Sequence, residues 1–230
     1  NLKLPLFNID REAVNREGEA WKPRLADLPR PITALMVGGK TDPFRFDAQT
    51  AMALMSAIKQ QTPQGTLYIS TSRRTGPEVT EIIRQQLPAN GKLFCWGDDD
   101  HDNPYRPLLS QADNFVVTGD SVSMMVEVAQ MEKPLAIYAL PNQRGIAARL
   151  KLAATGYGAL SFIVKPVFRA LQATGLVGYT RDLTNIHRYL YQQKLAVPFG
   201  EKLVVSPVYQ ENNVLEPISQ RIKQLLPVQD

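Results

Sequence analysis

The order of apolar and polar positions predicts alternating strands and helices between residues 32 and 140. A continuous apolar run at Ile32–Val37, stopped by two glycines, is typical of a buried strand that ends in a tight turn. The segment 47–61 then carries apolar residues at helical spacing on one face, namely Ala48, Ala51, Met52, Met55 and Ile58. The same alternation predicts strands at 66–70, 92–96, 114–118 and 134–140, and helices at 77–87, 104–112 and 121–131.

This rhythm predicts the fold class. Strands that alternate with helices at such spacing favour right-handed crossovers and a mostly parallel sheet covered on both faces. We therefore predict a doubly wound, Rossmann-like α/β core over 32–142, preceded by a lead-in segment, 1–31, with a helix at 11–26. Ligands of such sheets bind beyond the carboxyl ends of the strands. The loops of interest are 38–46, 70–76, 96–104 and 118–123.

The pattern changes after residue 142, where we predict a basic, amphipathic helical segment, 143–230, whose final helix near 214–226 packs back on the core. Residues 144–202 hold nine Lys or Arg against two acidic residues, with apolar positions between them. Two interpretations remain open: ordinary core helices with solvated lysines, or a surface that docks on anionic lipids.

Composition limits the classes of function. A chain of 230 residues with 44% hydrophobic residues supports one good core. The single cysteine, Cys95, excludes a disulfide framework and fits a reducing compartment, so we expect a cytoplasmic protein, with peripheral attachment to the inner face of a membrane as the option that 144–202 leaves open. The net charge of +4 is a weak argument for nucleic acid, and no recognition motif supports that partner.

The most informative stretch, 118–127, crosses from a strand into a helix. Asp120 or Ser121 could cap the helix, and the first-turn amides at Ser121, Val122 and Ser123 would then bind a diphosphate. Glu127 lies four residues beyond Ser123, on the same helix face, where it could accept the hydroxyls of a ribose. By local pattern alone, a plain capped helix with a surface glutamate is favoured.

Other strand-end loops add candidates for the same diphosphate site. Ser72, Arg73 and Arg74 bring a hydroxyl and two guanidinium groups, of which we expect only one guanidinium to contact a ligand. Gly39 ends the first strand without a side chain, so its backbone could approach a ligand, although the full glycine signature of nucleotide sites is missing.

Three aromatic or titratable features allow competing interpretations. Trp96 could flank a nucleobase or pack in the core. The run 98–102 crowds carboxylates around a histidine, but consecutive residues rarely converge on one ion, so we predict a solvated loop and no metal site. His187 is expected to be structural or on the surface, and a Cys–His catalytic pair is improbable.

Together, these pieces resemble the mitochondrial-fission "elongated mitochondria" family, whose bacterial members are largely uncharacterised. The resemblance covers about residues 20–145. It rests on five segments: 35–39, Ser-Arg-Arg-Thr-Gly-Pro-Glu at 72–78, Asn-Pro-Tyr at 103–105, Thr-Gly-Asp-Ser-Val-Ser-Met at 118–124, and Gln-Met-Glu-Lys-Pro at 130–134. That family is in turn similar to the C-terminal, donor-binding halves of GT-B nucleotide-sugar glycosyltransferases.

The resemblance implies a function and also the need for a second domain. It implies a nucleoside-diphosphate sugar as substrate, Glu127 on the ribose, no required metal or other cofactor, and an envelope or lipid-linked acceptor. A GT-B enzyme also needs an N-terminal domain that supplies the acceptor site and usually the catalytic base, whereas about thirty residues precede Ile32 here. We therefore expect a donor-binding half, a chain whose upstream part is missing, or a protein with another role.

Two rival functions remain. A non-catalytic adaptor that recruits a partner at a membrane surface would keep the fold without binding nucleotide sugars. A sugar-nucleotide epimerase would need carboxylates near the sugar, for which the sequence offers no candidates.

Overall fold

The computed structural model describes residues 9–42, 44–98, 102–142 and 183–204. The strands are β1 (Ile32–Val37), β2 (Thr66–Thr71), β3 (Gly91–Phe94), β4 (Asn114–Thr118), β5 (Leu135–Tyr138) and β6 (Val197–Pro198). The helices are α1 (Arg11–Leu25), α2 (Ala48–Gln61), α3 (Pro77–Gln85), α4 (Tyr105–Gln111), α5 (Val122–Gln130) and α6 (Thr184–Gln192). Most of the predicted basic segment and the final helix near 214–226 lie outside the described residues.

All six strands form one open, parallel sheet in the order β3-β2-β1-β4-β5-β6. The predicted Rossmann-like α/β fold is therefore confirmed. The order reverses between β1 and β4, because the chain adds strands to one side of β1 and then returns to add strands to the other. In sheets of this kind the crevice for a ligand opens at that reversal, beyond the carboxyl ends of the strands.

Side chains of β1 alternate between two apolar layers, as a strand buried on both faces requires. Ala34 and Met36 point into a layer with α1, α4, α5 and α6, whereas Leu35 and Val37 point into a layer with α2 and α3. Helices thus cover both faces of the sheet. This arrangement leaves the strand ends, and the loops that follow them, as the place where side chains from different elements can meet.

The buried face of α2 differs from the predicted one. Ala51, Met55 and Ile58 are buried as expected, but Met52 is 42% exposed and Leu54 is fully buried in its place. Successive residues of a helix are turned by about 100°, so the stripe that begins at Ala51 continues at positions three and four further on. Met52 falls outside that stripe.

Two further differences concern the strands. β3 ends at Phe94, two residues earlier than predicted, so Trp96 lies in the loop beyond it. β6 was not predicted at all, since its two residues fall within the segment expected to be helical. Its pairing with β5 depends on where α6 delivers the chain rather than on a local pattern of apolar residues.

α1 packs against the core through α4. Its Val14 and Leu25 share an apolar cluster with Leu108 and Leu109, and Gly18 allows the two helices to approach closely, since a Cβ at that position would lie 2.3 Å from the Ser110 hydroxyl oxygen. The lead-in helix therefore forms part of the layer that covers β1 and β4.

Lys133 and Pro134 directly precede β5, and the side chain of Lys133 stabilises the end of α4. Its ammonium group donates to the carbonyl oxygens of Ser110 at 2.8 Å and Ala112 at 3.1 Å, at the carboxyl end of α4. Partial burial lowers the pKa of Lys133. These bonds satisfy helix-terminal carbonyls that would otherwise lack partners and place a cation at the negative end of the helix dipole.

We expect Lys133→Met to lower the free energy of unfolding by about 1–3 kcal/mol, because it removes charge-assisted hydrogen bonds from a half-buried helix end. Chemical denaturation of the two proteins measures the difference. The matched control is Lys92→Met, at an exposed position on β3 with no side-chain bond within the described ranges, where we expect a change within about 0.5 kcal/mol. Equal effects of the two substitutions would contradict this role for Lys133.

Candidate functional site

The loops after β1, β2 and β4 meet at the reversal of strand order and are tied together by hydrogen bonds. The Gly38 amide donates to the Thr118 hydroxyl at 2.8 Å, and the Gly39 amide donates to the Asp120 carboxylate at 2.7 Å. The Thr75 hydroxyl donates to the Gly38 carbonyl at 2.5 Å. We call these five residues the strand-end cluster.

Asp120 is the centre of this cluster. Its side chain is fully buried, and its second oxygen accepts from the Thr118 hydroxyl at 2.7 Å. Burial raises the pKa of Asp120, while the bonds from Thr118 and Gly39 favour the charged form and oppose that rise. Two predictions are corrected here. Asp120 does not cap a helix, because its carboxylate points back to β1, and Gly39 has no free amide to offer a diphosphate.

The close approach of these three loops requires glycine at positions 38 and 39. A Cβ on Gly38 would lie 2.2 Å from a carboxylate oxygen of Asp120, and one on Gly39 would lie 1.9 Å from the carbonyl oxygen of Arg74. Both distances are far below a van der Waals contact. The apolar run that ends in two glycines therefore marks a place where three loops pack backbone against backbone.

In the loop after β2, Ser72 and Arg74 are hydrogen-bonded within the protein, whereas Arg73 is exposed. Ser72 is bonded within the loop, since its amide donates to the Thr75 hydroxyl at 2.9 Å and its hydroxyl accepts from the Arg74 amide at 3.3 Å. The Arg74 guanidinium donates to the Thr41 hydroxyl and lies 3.7 Å from Asp120. Arg73 is exposed and has no hydrogen bond or ion pair in the part of the chain that the structure describes. Of the two arginines, Arg73 is the one available to a ligand.

The amino end of α5 faces the same crevice. Ser121 is the N-cap residue, makes no side-chain capping bond, and its own amide donates to the Thr118 carbonyl at 3.1 Å. The amides of Val122, Ser123 and Met124 make no hydrogen bond to any residue in the described ranges. The free donors of this helix end are thus shifted one residue beyond the predicted set. Met124 was missed because the predicted amides begin at Ser121, which would be correct only with Asp120 as the N-cap.

Glu127 lies further along α5 and is half-buried. One of its oxygens accepts a hydrogen bond from the Tyr105 hydroxyl at 2.5 Å, and its other oxygen has no partner within the described residues. Burial raises the pKa of Glu127, and the bond from Tyr105 opposes that rise. Burial and the neighbouring carboxylate also hold the pKa of Tyr105 well above its usual value. Tyr105 had no predicted role, because only tertiary packing brings α4 beside α5.

Trp96 is 46% exposed, so the interpretation as a core residue is wrong. Its amide donates to the Thr71 hydroxyl at 2.9 Å, which fixes the start of the loop after β3. β3 is separated from β4 by β2 and β1, a distance of about 14 Å at the usual spacing of strands. No contact within the described residues brings Trp96 to Glu127.

His187 on α6 is buried beside Gly119, the residue that follows β4. Its Nε2 lies 2.6 Å from the Gly119 carbonyl oxygen, and its ring is stacked on Phe44 with centroids 6.2 Å apart. The expected structural role fits these contacts. In the described ranges, no group of three or more His, Cys, Asp or Glu side chains could hold a metal ion, and Asp102 of the acidic run is paired with Arg24.

The start of α5 and the loop that carries Arg73 follow the carboxyl ends of β4 and β2, on either side of β1 at the strand-order reversal, and Glu127 lies about a turn further along α5. This is the place where Rossmann-like α/β proteins bind their ligands. The family described as mitochondrial fission ELM1 matches residues 3–159, which is more than half of the chain. The chain belongs to this family.

Two relatives are similar to part of the chain. Mitochondrial fission protein ELM1 of Arabidopsis thaliana is 31% identical over 131 residues, which cover 56% of this chain and 30% of that protein. The uncharacterised protein RP120 of Rickettsia prowazekii is 33% identical over 116 residues, covering 49% and 33% of the two chains. The aligned part therefore spans about a third of the length of these relatives.

Among the described residues, no helix has both the length and the apolar character needed to cross a bilayer.

We expect Gly39→Ala to lower the free energy of unfolding by at least about 1–3 kcal/mol, since the added methyl group collides with backbone that has no room to shift. The matched control is Gly76→Ala, where an added Cβ meets nothing within 4 Å and the backbone already has a φ of −68°. Gly76 is the N-cap residue of α3, where alanine is less favourable than glycine, and this cost opposes the entropy gain, so the change should stay within about 1 kcal/mol. Chemical denaturation checks both, and equal stabilities would contradict the packing argument.

Proposed function

We propose that this chain is the donor-binding domain of a GT-B-like glycosyltransferase that transfers a sugar from a nucleoside diphosphate to an envelope or lipid-linked acceptor. One observation carries the proposal. α5 begins at the strand-order reversal with free amides at Val122, Ser123 and Met124, and the same helix carries a carboxylate with a free oxygen at Glu127. A diphosphate and the ribose attached to it have complementary chemistry at this spacing.

The diphosphate would bind at the start of α5. Three amides point out of the first turn, and the helix dipole adds a partial positive charge at that end. Arg73, exposed on the neighbouring loop, can add a bidentate contact to paired oxygens. In a transfer reaction the same groups would stabilise the negative charge that develops on the leaving diphosphate, without a metal ion.

The ribose would bind further along the same helix. Ser123 and Glu127 are four residues apart and thus lie on one face of α5, a turn from each other. Since Tyr105 occupies one carboxylate oxygen, the other oxygen is left for a sugar hydroxyl. Burial of Glu127 strengthens such a hydrogen bond, because water competes for the carboxylate less than it would on an open surface.

Asp120 and Arg74 have a supporting part. A buried carboxylate beside a diphosphate would repel it, but the charge of Asp120 is balanced by Arg74 and by the bonds from Thr118 and Gly39. Arg74 is consequently committed to the protein. The proposal therefore assigns the ligand contact to Arg73 alone.

We assign neither the acceptor site nor the catalytic base to a described residue of this chain. The aligned part of the chain covers about a third of the curated relatives. In a GT-B arrangement both features would come from a second domain.

The proposal is tested first by thermal unfolding of the chain with UDP, GDP, ADP, CMP and dTDP, without metal and then with magnesium. A ligand at a hundred times its dissociation constant stabilises a protein by about 2.7 kcal/mol, and we expect this for one of the diphosphates. Arg73→Met should weaken that binding by about 1–3 kcal/mol. The control is Lys59→Met, in the last turn of α2, toward the amino ends of the strands and away from the proposed site, where affinity should not change. Flat curves with all five nucleotides would contradict the proposal.

Glu127 gives the binding a dependence on pH. The carboxylate form accepts the ribose hydroxyl, and its pKa is raised by burial, so affinity should be full above that pKa and fall as the pH drops through it. We expect Glu127→Gln to weaken nucleotide binding by about 1–3 kcal/mol at neutral pH and to abolish this dependence. Calorimetry across the acidic range gives the dissociation constants of the wild-type protein and of the Glu127→Gln variant. Their ratio cancels the titration of the nucleotide, which affects both proteins equally. A ratio that does not change with pH would exclude Glu127 as the acceptor.

The alternative function is a non-catalytic adaptor at a membrane surface, and the name of the Arabidopsis relative, a mitochondrial fission protein, favours it. Such an adaptor would bind no nucleotide. If residues 144–202 dock on anionic lipids, the chain should float with vesicles that contain phosphatidylserine and not with neutral vesicles. Flotation combined with flat nucleotide curves would favour the adaptor.

A further inference from the structure

A cavity of about 420 Å³ lies between α1 and α4, apart from the groups proposed to bind the diphosphate. Its lining includes Trp21 of α1 and the segment from Asn103 to Pro107, with Glu17 and Ala20 at the α1 side. The volume is within the range of about 300–1,000 Å³ that small-molecule sites usually have.

Tyr105 connects this cavity to Glu127, the carboxylate that we propose binds the ribose. Tyr105 lines the cavity, and its hydroxyl donates to Glu127 at 2.5 Å. A molecule in the cavity that contacts Tyr105 would therefore lie next to the side chain that is bonded to Glu127. A ligand that extends along Tyr105 could reach both places at once.

The lining fits a flat aromatic ring with hydrogen-bond acceptors at its edge. Trp21 offers an indole ring, which is held in place because the guanidinium of Arg24 lies 4.3 Å from its centroid and is itself paired with Asp102. Asn103 accepts from the Tyr105 amide at 3.0 Å through its carbonyl oxygen, so its amino group points elsewhere, without a partner within the described ranges. An indole and a free amide donor are common partners of nucleobases.

The charged residues at the cavity do not favour an anion or a cation. Arg106 and Glu17, which both line the cavity, form an ion pair at 2.8 Å and so largely neutralise each other. A neutral, planar group is thus the best match for the lining.

The geometry points to this cavity as the site of the nucleobase, stacked on Trp21, of the nucleotide whose ribose contacts Glu127. The inference rests on the proposed function and replaces Trp96, the base-flanking residue expected from the sequence. Trp96 lies beyond β3, about 14 Å along the sheet from the strand that leads into α5. α1, which carries Trp21, reaches the site only because it packs on α4.

The chain has two tryptophans, so each can be made the only fluorescent reporter of its kind. The full chain with Trp96→Phe retains Trp21, and the full chain with Trp21→Phe retains Trp96. Each variant is titrated with UDP, GDP and ADP, and separately with inorganic pyrophosphate, which lacks base and ribose. Tryptophan fluorescence reports stacking, while calorimetry reports binding whether or not a tryptophan is near.

We expect a nucleotide to quench the fluorescence of the Trp96→Phe variant and not that of the Trp21→Phe variant, and pyrophosphate to bind without quenching either. Trp21→Ala should weaken nucleotide binding by about 5- to 150-fold, which corresponds to the ~1–3 kcal/mol of one base–aromatic stack, and leave pyrophosphate binding unchanged. Asn103→Asp keeps the acceptor for the Tyr105 amide and removes the free donor, so it tests the cavity without changing Trp21. This variant should also weaken nucleotide binding alone.

The outcomes separate this inference from the proposed function. Nucleotide binding that quenches only Trp96, or neither tryptophan, would overturn the cavity as the base site and leave the donor-site proposal standing. Absence of binding by both nucleotides and pyrophosphate would overturn both. Equal loss of pyrophosphate and nucleotide binding in Trp21→Ala would show damage to the fold, and the Asn103→Asp variant then decides.

Discussion

The buried carboxylate of Asp120 is the interaction on which the rest of the site depends. It lies at the reversal of strand order and accepts from the loop after β1 and from Thr118, with Arg74 of the loop after β2 nearby. A charge buried without partners is costly, so these three loops are held in the one arrangement that satisfies it. The two glycines after β1 make that arrangement sterically possible.

This internal anion also determines which groups remain for a ligand. Because Asp120 engages the Gly39 amide and Arg74, the crevice offers an external anion the first amides of α5 and Arg73. The division has a physical logic: one set of donors holds the scaffold rigid, and a second set, placed by that scaffold, stays open. Free donors at a fixed helix end need no reorganisation when an anion arrives.

Packing of α1 on α4 gives the site a boundary that a core of 32–142 alone would lack. α4 holds Tyr105 against Glu127, while α1 supplies Trp21 to the cavity beside it. Lys133 secures the far end of α4 from the turn before β5. α4 is thus fixed at both ends by residues distant in sequence, and the family match covers all of these elements, since it extends from residue 3 to 159.

The sequence by itself determined the fold class and most of the elements that build it. Apolar periodicity is local, so the bounds of β1 and β4 and the helix at α5 could be predicted from short windows. Only the tertiary structure decided which donors stay free. Asp120 looked like a helix cap because its neighbours in sequence form a helix start, yet its partner is Gly39, 81 residues away. Tyr105 and Trp21 gained their places likewise, because contacts between elements follow from packing geometry and charge burial, which leave no periodic signal along the chain.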